Sequence, residues 1–532
     1  MLALLGPTFP ASPSLPSQHL TSWGYEDVAP ALCLAYGAER QEKHAWRSHP
    51  RLAEGCVPIE RIPTELLVHI FLIVRDAARA LSWLKITHVC RHWRTVALAT
   101  PLLWTSIPAE KGPSFLSACL KRSNDVLVDV ISHRCVLAVD PLLDVLHSHT
   151  RRLRTLSFPA LSHDAAKKLL VDVVTPAPSL EHLVVQVPTP SHNYTPPQFA
   201  LPDRDWSRLR SLRLNNIALP GHVSPVSSLT SLNLSDVIVG DRAALNSLLD
   251  SLAGCVQLVH LTISDSCPSP LKGDEREEIS KRRTIPLRTL HTLKLSAHAS
   301  VVSEVLSSVS VSPLTTTEIK CVLDPRQTSH NLVSAILRSH STDLESSARA
   351  HSLYLFVASN IFRVRAFDAG GSSSAKLLDM DIECNPPMDM SYLLPDALRD
   401  LTHVFSASPV TDMQVFGDQR FISPEDWRVA LTRLPALKTL EVGSRGRVDS
   451  LFQALSFSDV GLSICPHLKK MCAGGIDADE AAADIMLSCL DRRAAHDARL
   501  DVLVMRSRAG REPLSACTVQ SMSTVVGAFD YR

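Results

Sequence analysis

The chain has 532 residues, of which 45% are apolar and 20% charged, so it has the composition of a folded globular protein and room for one elongated domain or two. Lys and Arg together number 54, as do Asp and Glu, so the net charge indicates neither a nucleic-acid nor an acidic-membrane partner. Thirteen cysteines without a CxxC pair or regular spacing predict reduced thiols in the cytosol or nucleus. No apolar run approaches the roughly 18 residues that span a bilayer, and a signal peptide is not expected because the first residues lack a basic start.

The amino-terminal part is rich in Pro, Ser and Ala and shows no sustained periodicity. This composition predicts a mostly disordered arm over residues 1–55, since it offers few side chains for a packed core. The remaining pattern predicts a helical domain over residues 56–107 and a longer repetitive domain over residues 108–525.

Three short helices are predicted within Ile59–Ile107. Pro63 suits the first turn of a helix, because the amide it lacks has no intrahelical partner there. A shorter helix is predicted near Leu81–Ile86 and a third over Val89–Ala97, which Pro101 ends. One side of the first helix carries the apolar residues at Leu66, Leu67, Ile70, Phe71 and Val74. Three short helices cannot bury so many large side chains among themselves, so exposed apolar surface is expected here.

Four stretches of this segment occur in an order and spacing typical of one family. They are the opening Ile62–Leu67, the pair Ile70-Phe71, the core Thr87–Arg94 and the tail Ala97–Trp104. These residues resemble the F-box, most closely the F-box-like form common in mushroom-forming fungi, behind which leucine-rich repeats often follow. The resemblance implies docking onto a Skp-type adaptor of a cullin–RING ubiquitin ligase, while the rest of the chain binds the substrate.

The apolar residues of the segment are the candidates for this docking. Some of them must instead form the small helical core, and spacing alone does not separate the two groups. The candidate adaptor-binding residues are Ile62, Pro63, Leu66, Leu67, Ile70, Phe71, Val89, Cys90 and Trp93.

A basic cluster on the third helix raises the alternative of DNA binding. Arg91, His92 and Arg94 lie where a helix-turn-helix protein carries its recognition helix. However, Val96–Ala99 is apolar where base-reading side chains would be polar, and the chain is neutral. The sequence therefore disfavours a nucleic-acid partner.

Behind the helical segment the pattern Leu-x-x-Leu-x-apolar recurs. It begins at Leu153, Leu180, Leu209, Leu229, Leu258, Leu290, Leu437, Leu468 and Leu500. A period of roughly 20 to 30 residues with this motif is typical of leucine-rich repeats, in which neighbouring units bury one another's apolar edges. The predicted fold class is therefore α/β: a small three-helix F-box-like domain, then an irregular leucine-rich-repeat solenoid with parallel strands on its concave face and helices outside.

Further elements are predicted around these motifs. Strands are expected at Val126–Ile131, Thr315–Val322, His351–Val357 and Thr411–Phe416. Helices are expected at Phe115–Ser123, Ala165–Val174 and Ala243–Leu252. Loops are expected at Pro188–Pro202, Pro268–Pro286 and Gly370–Ser374.

Polar residues between the repeat leucines should share the concave face, which is the usual binding surface of a solenoid. The candidate substrate-binding residues are Arg213, Asn215, Asn233, Lys294 and Glu441. The alternative for each of them is a solvated position on a polar strand face.

No catalytic, cofactor or metal site is predicted. The chain lacks GxSxG, a phosphate-binding GxxxxGK[ST] and HExxH. Cys465 and Cys472 flank a histidine, but a second pair of zinc ligands is missing at a suitable distance. We therefore expect a protein that is not an enzyme and has no cofactor.

Two functions remain open. The first is the substrate-recognition subunit of a Skp–cullin–F-box E3 ubiquitin ligase in the cytoplasm or nucleus, with a Skp-type adaptor, a cullin–RING ligase and an unknown protein substrate as partners, and with neither nucleic acid nor membrane. The second is a ligase-independent leucine-rich-repeat scaffold, in which the F-box-like segment only caps the amino-terminal end.

Overall fold

The computed structural model describes residues 62–78, 81–134, 139–187, 206–217, 227–236, 242–265, 284–312, 314–323, 347–369, 376–384, 389–456, 464–476, 480–507 and 514–532. The predicted arm, the loops Pro188–Pro202 and Gly370–Ser374, and most of the loop Pro268–Pro286 lie outside these ranges. The chain divides into two compact units, residues 1–69 and 70–532. Within the described ranges, no helix is both long enough and apolar enough to cross a membrane.

The three predicted amino-terminal helices are confirmed. They are α1 (Thr64–Ala77), a 3-10 turn (Ser82–His88) and α2 (Arg91–Ala99). Pro63 directly precedes α1, and its carbonyl accepts the Leu67 amide at 3.0 Å, so it caps the helix from outside instead of lying in its first turn.

The rest of the chain alternates strands with helices. The strands are β1 (Ser106–Pro108), β2 (Val128–Ile131), β3 (Leu153–Phe158), β4 (His182–Gln186), β5 (Ser211–Asn215), β6 (Ser231–Ser235), β7 (His260–Ser264), β8 (Ile285–Leu287), β9 (Thr292–His298), β10 (Val309–Val311), β11 (Thr316–Leu323), β12 (Ala350–Val357), β13 (Ile361–Asp368), β14 (Lys376–Cys384), β15 (Asp412–Asp418), β16 (Thr439–Arg445), β17 (Lys470–Ile476), β18 (Val502–Ser507) and β19 (Ala528–Tyr531). The helices are α3 (Pro113–Arg122), α4 (Asp140–His147), α5 (His163–Lys168), α6 (Arg242–Ala253), α7 (Ala299–Ser308), α8 (Leu394–Val404), α9 (Pro424–Thr432), α10 (Asp449–Leu455), α11 (Glu480–Ala495) and α12 (Ala516–Val525). A π-helical turn, Leu169–Val174, continues α5.

The repeated leucines lie in one large, mostly parallel sheet, which contains all of these strands except β8 and β10; those two pair with each other in a separate small sheet. Leu156 pairs with Leu183, which pairs with Leu212, and the same register continues through β6, β7 and β9. These leucines are buried, whereas the residues between them are half-buried or exposed. The alternation therefore gives the sheet one core face and one open face, as expected for strands with a period of two.

A backbone motif before several of the parallel strands occurs in both halves of the sheet. The carbonyl of Arg210 accepts the amides of Thr230 and Ser231, at 2.8 and 3.0 Å. The carbonyl of Lys438 likewise accepts the amides of Lys469 and Lys470, at 2.9 and 3.0 Å. The two halves therefore enter their strands through the same local geometry.

One strand runs against the others. Strand β13 is antiparallel to both β12 and β14, and β14 is parallel to β11. Strand β12 is in turn parallel to β15, so the meander β12–β13–β14 joins two parallel halves. The predicted strands in this middle part are confirmed, but β13 and β14 were not predicted, and the chain does not follow a simple order of neighbouring strands here.

The helical segment continues directly into the sheet. Strand β1 pairs with β2, and the Thr105 carbonyl accepts the Asp129 amide at 2.8 Å. The boundary expected between residues 107 and 108 therefore falls inside β1, and residues 70–107 belong to the same compact unit as the sheet. Backbone hydrogen bonds between β1 and β2 cross this boundary, so no linker separates the helical segment from the sheet here.

Candidate functional site

Four of the candidate adaptor-binding residues lie in the first unit. Ile62 is half-buried and Pro63 is exposed. Leu66 is 57% exposed, whereas its neighbour Leu67 is only 1% exposed. Leu67 is thus a core residue, and it can act on a partner only by supporting the helix.

Two aromatic pairs form the core of the helical segment in the second unit. The Phe71 ring is fully buried and meets the Trp93 ring edge-on, with centroids 5.0 Å apart. The Trp83 and Trp104 rings make a similar contact at 5.3 Å. Phe71 therefore also belongs to the core and not to the surface proposed for docking, while Trp93 is half-buried.

Several large apolar side chains of this segment face solvent. We call five of them in the second unit, each between 38% and 58% exposed, the apolar surface: Ile70, Ile73, Val74, Val89 and Leu102. Ile73, Val74 and Leu102 were not among the candidates. Arg75 connects two parts of this set, because its side chain on α1 donates a hydrogen bond to the Leu102 carbonyl.

The concentration of these side chains is unusual for this chain. Among the described residues, six of the eleven exposed large apolar side chains fall between Leu66 and Leu102. Isolated exposed apolar residues are common on protein surfaces, but a concentration of them marks an interaction surface.

The candidate Cys90 has a structural role as well as an exposed position. Its Sγ accepts the Trp93 amide at 3.4 Å and so caps the amino terminus of α2. The neighbouring Val89 is 58% exposed. This cap holds both residues at the surface beside the buried aromatic pair.

Trp104 joins the helical segment to α3. Its indole Nε1–H donates to the Ala97 carbonyl at 2.9 Å. The guanidinium of Arg122, the last residue of α3, lies 4.3 Å from the centre of its ring, which is a cation–π contact. The Trp104 side chain is 2% exposed, so these contacts are made in a desolvated environment.

The structure brings together three of the five candidate substrate-binding residues. Arg213, Asn233 and Lys294 share one row of the open face through the register of β5, β6, β7 and β9. Asn215 lies in the adjacent row. Glu441 is on β16, several strands away, where it accepts a hydrogen bond from the Gln414 amide at 2.9 Å.

The row continues into ion pairs that the sequence did not indicate. Lys294 Nζ lies 2.7 Å from a Glu318 carboxylate oxygen on β11. Farther along, Arg365 on β13 pairs with Asp379 on β14 at 2.9 Å. Burial raises the pKa of Asp379, but hydrogen bonds from Lys376 and Arg365 outweigh it and leave the pKa below its ordinary value. The alternation of charged and apolar residues in β13 and β14 was the available signal.

A further ion pair lies at the amino-terminal end of the sheet. Arg154 donates to both carboxylate oxygens of Asp129, from Nε at 2.9 Å and from Nη2 at 2.5 Å. Burial alone would raise the pKa of Asp129, but the hydrogen bonds from Arg154 and Thr155 and the charge of Arg154 lower it overall.

This pair predicts a pH dependence of stability. Because the folded pKa of Asp129 is below its unfolded value near 3.8, the stabilisation is complete above that value and is lost as the pH falls through the folded pKa. Asp129→Asn should therefore lower the free energy of unfolding by about 1 kcal/mol or less at neutral pH, since Arg154 is partly exposed. Urea unfolding across the acidic range should show the difference from the unsubstituted protein shrinking below that pH. A difference independent of pH would contradict the assignment.

Comparison with known protein families matches residues 59–107 to the family described as F-box-like. The chain contains an F-box-like domain. Domains of this kind typically bind Skp-type adaptors, which suggests an F-box protein that works in the context of a ubiquitin ligase. No curated protein matches the chain. The domain covers the stretch of the chain in which the exposed apolar side chains are concentrated.

Proposed function

We propose that this protein is the substrate-recognition subunit of a Skp–cullin–F-box E3 ubiquitin ligase. In this proposal the F-box-like domain docks on a Skp-type adaptor, and the open face of the sheet binds the protein substrate. The protein works in the cytoplasm or nucleus and contributes binding and placement, while its partners supply the ubiquitin-transfer chemistry. The strand–helix array then acts as a leucine-rich-repeat solenoid of the kind that follows the F-box-like domain in mushroom-forming fungi.

The apolar surface is the observation that supports this proposal. Its side chains are exposed while Phe71, Trp83 and Trp104 of the same segment are buried, so they are available to a partner without unfolding of the domain. Large side chains at the centre of an interface typically carry most of its binding energy. In this proposal a Skp-type adaptor binds the apolar surface and shields it from solvent.

The repeated pattern of the strands supports the proposal that the sheet binds the substrate. Register and strand-entry geometry are shared by the two parallel halves, as expected when similar units stack on one another. A stacked array is rigid, and a rigid spacer raises the effective concentration of a bound substrate near the conjugating enzyme.

Substitution of the apolar surface tests the adaptor half of the proposal. The triple variant Ile70→Ala, Ile73→Ala, Val74→Ala removes apolar contact area from α1 and replaces β-branched residues with a strong helix former. We expect its affinity for a fungal Skp-type adaptor to be at least about 100-fold lower, as measured by calorimetry on the full chain. Undiminished binding by this variant, or lack of binding by the unsubstituted chain, would contradict the proposal.

The chain offers a matched control. Val171, Val256 and Leu314 are between 60% and 62% exposed and lie outside the F-box-like domain. Their triple alanine variant loses similar apolar area and should bind the adaptor normally. Alkylation gives an independent check, because bound adaptor should protect the exposed Cys90 thiol but not the exposed Cys517 thiol.

A second function is favoured by the connection at β1. Because β1 pairs with β2 and Arg122 contacts the Trp104 ring, the F-box-like domain covers the first edge of the sheet. A ligase-independent scaffold would use the domain only as this cap. In that case the Ile70, Ile73 and Val74 variant would leave all partner binding unchanged.

A further inference from the structure

A cavity of about 420 Å³ lies where the F-box-like domain meets the first strands of the sheet. One wall comes from the helical segment, including Arg75, Asp76, Leu81 and Trp83. The other comes from the sheet and the turn beside it. Its charged or titratable lining residues on that side are Glu110, Asp129, His133 and Arg154.

Both arginines of this cavity are already paired. Arg154 holds Asp129 through two hydrogen bonds, and Arg75 Nη2 lies 2.7 Å from an Asp76 carboxylate oxygen. Glu110 is the one carboxylate of this lining outside these two ion pairs. Glu110 Oε2 is shielded from solvent and has no hydrogen-bond partner among the residues that the structure describes. A shielded carboxylate oxygen without a donor is costly, so the cavity favours a ligand that brings a positive donor.

The walls suit a long cationic side chain. Leu81 and Ile131 are half-buried, and Trp83 contributes an aromatic wall. Lysine and arginine side chains pack their aliphatic stems on such surfaces while the charged end reaches a carboxylate. The volume is sufficient for one such side chain with part of its backbone.

The cavity is also aligned with the open face. Ile131 pairs with Ser157, which pairs with Val184, which pairs with Arg213. A protein segment lying along this row would therefore reach the cavity at its amino-terminal end.

We propose that this cavity binds an arginine or lysine side chain of the protein substrate, with Glu110 as its acceptor. This proposal rests on the proposed function, because it assumes that the open face binds substrate. It restricts the substrates to proteins that present an accessible basic side chain next to the segment bound on the sheet.

Small probes test the cavity without a known substrate. N-acetyl-arginine amide and its neutral isostere N-acetyl-citrulline amide are titrated onto the full chain, and binding is followed by saturation-transfer NMR. We expect the citrulline probe to bind about tenfold more weakly, and Glu110→Gln to reduce arginine binding to the citrulline level. Equal binding of the two probes to the unsubstituted chain would overturn the proposal even if the variant failed to fold.

One further variant locates the site. Asp412→Asn changes a second cavity, of about 480 Å³, which Asp368 and Glu441 also line, and it should leave arginine binding intact. Loss of binding in this variant instead would place the site there and overturn the proposal.

The readouts keep the two proposals separate. Glu110→Gln leaves the residues of the apolar surface unchanged, so it should still bind the adaptor. A chain that binds the arginine probe but no adaptor would contradict the proposed ligase function. The assignment of the cavity as a binding site for a basic side chain would stand. A chain that binds the adaptor but neither probe would contradict only the cavity.

Discussion

Replacing Trp104 with alanine is expected to lower the free energy of unfolding of the first part of the 70–532 unit by about 3–5 kcal/mol. The substitution leaves a cavity where a 2% exposed indole meets Trp83, and it removes the hydrogen bond to Ala97 and the cation–π contact with Arg122. Because a long strand array need not unfold in one step, hydrogen exchange resolved by peptide is the suitable measurement.

The expected pattern of exchange is local. Protection should fall in the F-box-like domain, in α3, whose Arg122 contacts the Trp104 ring, and in the adjoining strands β1 and β2. Trp427→Ala removes another buried tryptophan, from α9, and should lower protection there instead. Trp104→Phe keeps an aromatic ring beside Trp83 and Arg122 and loses mainly the indole hydrogen bond, so its cost should be about 1 kcal/mol. Unchanged protection in β2 after Trp104→Ala would mean that the domain does not stabilise the edge of the sheet.

Replacing Arg493 with alanine is expected to cost about 2–4 kcal/mol. Arg493 on α11 is 1% exposed, and among the described residues it has no carboxylate partner and its Nε has no hydrogen-bond partner. Its guanidinium donates to the Ile464 carbonyl at 2.9 Å and to the Cys465 carbonyl at 3.0 Å. Burial lowers the pKa of the group, but an arginine stays charged, so these carbonyls are what compensate the buried cation.

The turn that Arg493 holds is itself strained. Cys465 has a φ of 50°, in the left-handed region that disfavours side chains with a Cβ. The Cys465 carbonyl also accepts the Leu468 amide at 3.1 Å, so truncation of Arg493 leaves mainly the Ile464 carbonyl without a donor. Part of the alanine cost therefore comes from lost volume and part from this carbonyl.

Urea unfolding of three variants separates these contributions. Arg493→Met keeps most of the volume and removes the buried charge, so it should cost about half as much as Arg493→Ala. The neighbouring Arg492 is exposed, and Arg492→Ala should change the free energy of unfolding by less than about 0.5 kcal/mol. If Arg493→Met proved more stable than the unsubstituted protein, the desolvation cost of the cation would exceed the value of its hydrogen bonds.

Much of the sheet could be predicted because a single pattern carries the information. The spacing of the buried leucines Leu209, Leu212 and Leu214 recurs with little change at β4, β6, β7 and β9, and these strands pair in one register. No comparable sequence pattern indicates whether a strand is parallel or antiparallel to its neighbours. The sequence of β13 alternates Phe362, Val364 and Ala366 with half-buried residues, and this alternation is the same for parallel and antiparallel pairing.

The candidate site could be located in the sequence but not resolved. Along α1, apolar residues occur in adjacent pairs, such as Leu66 with Leu67 and Ile70 with Phe71. Periodicity therefore identifies a broad apolar stripe on the helix, but it does not show which side of the stripe is buried. In these two pairs the structure buries the second residue, whereas Ile73 and Val74 are both exposed. The cavity beside Glu110 left no signal, because its lining comes from segments that the fold alone brings together.

The reversed strand β13 also bears on how the chain can change in evolution. A stack of like units can gain or lose a member almost anywhere, since each one touches only its neighbours. At β12–β13–β14 this freedom ends, because deleting β13 would leave β12 and β14 as parallel neighbours without the long crossover connection that parallel strands need. We expect differences in length among descendants of this protein to collect on either side of the meander, which would itself be inherited whole.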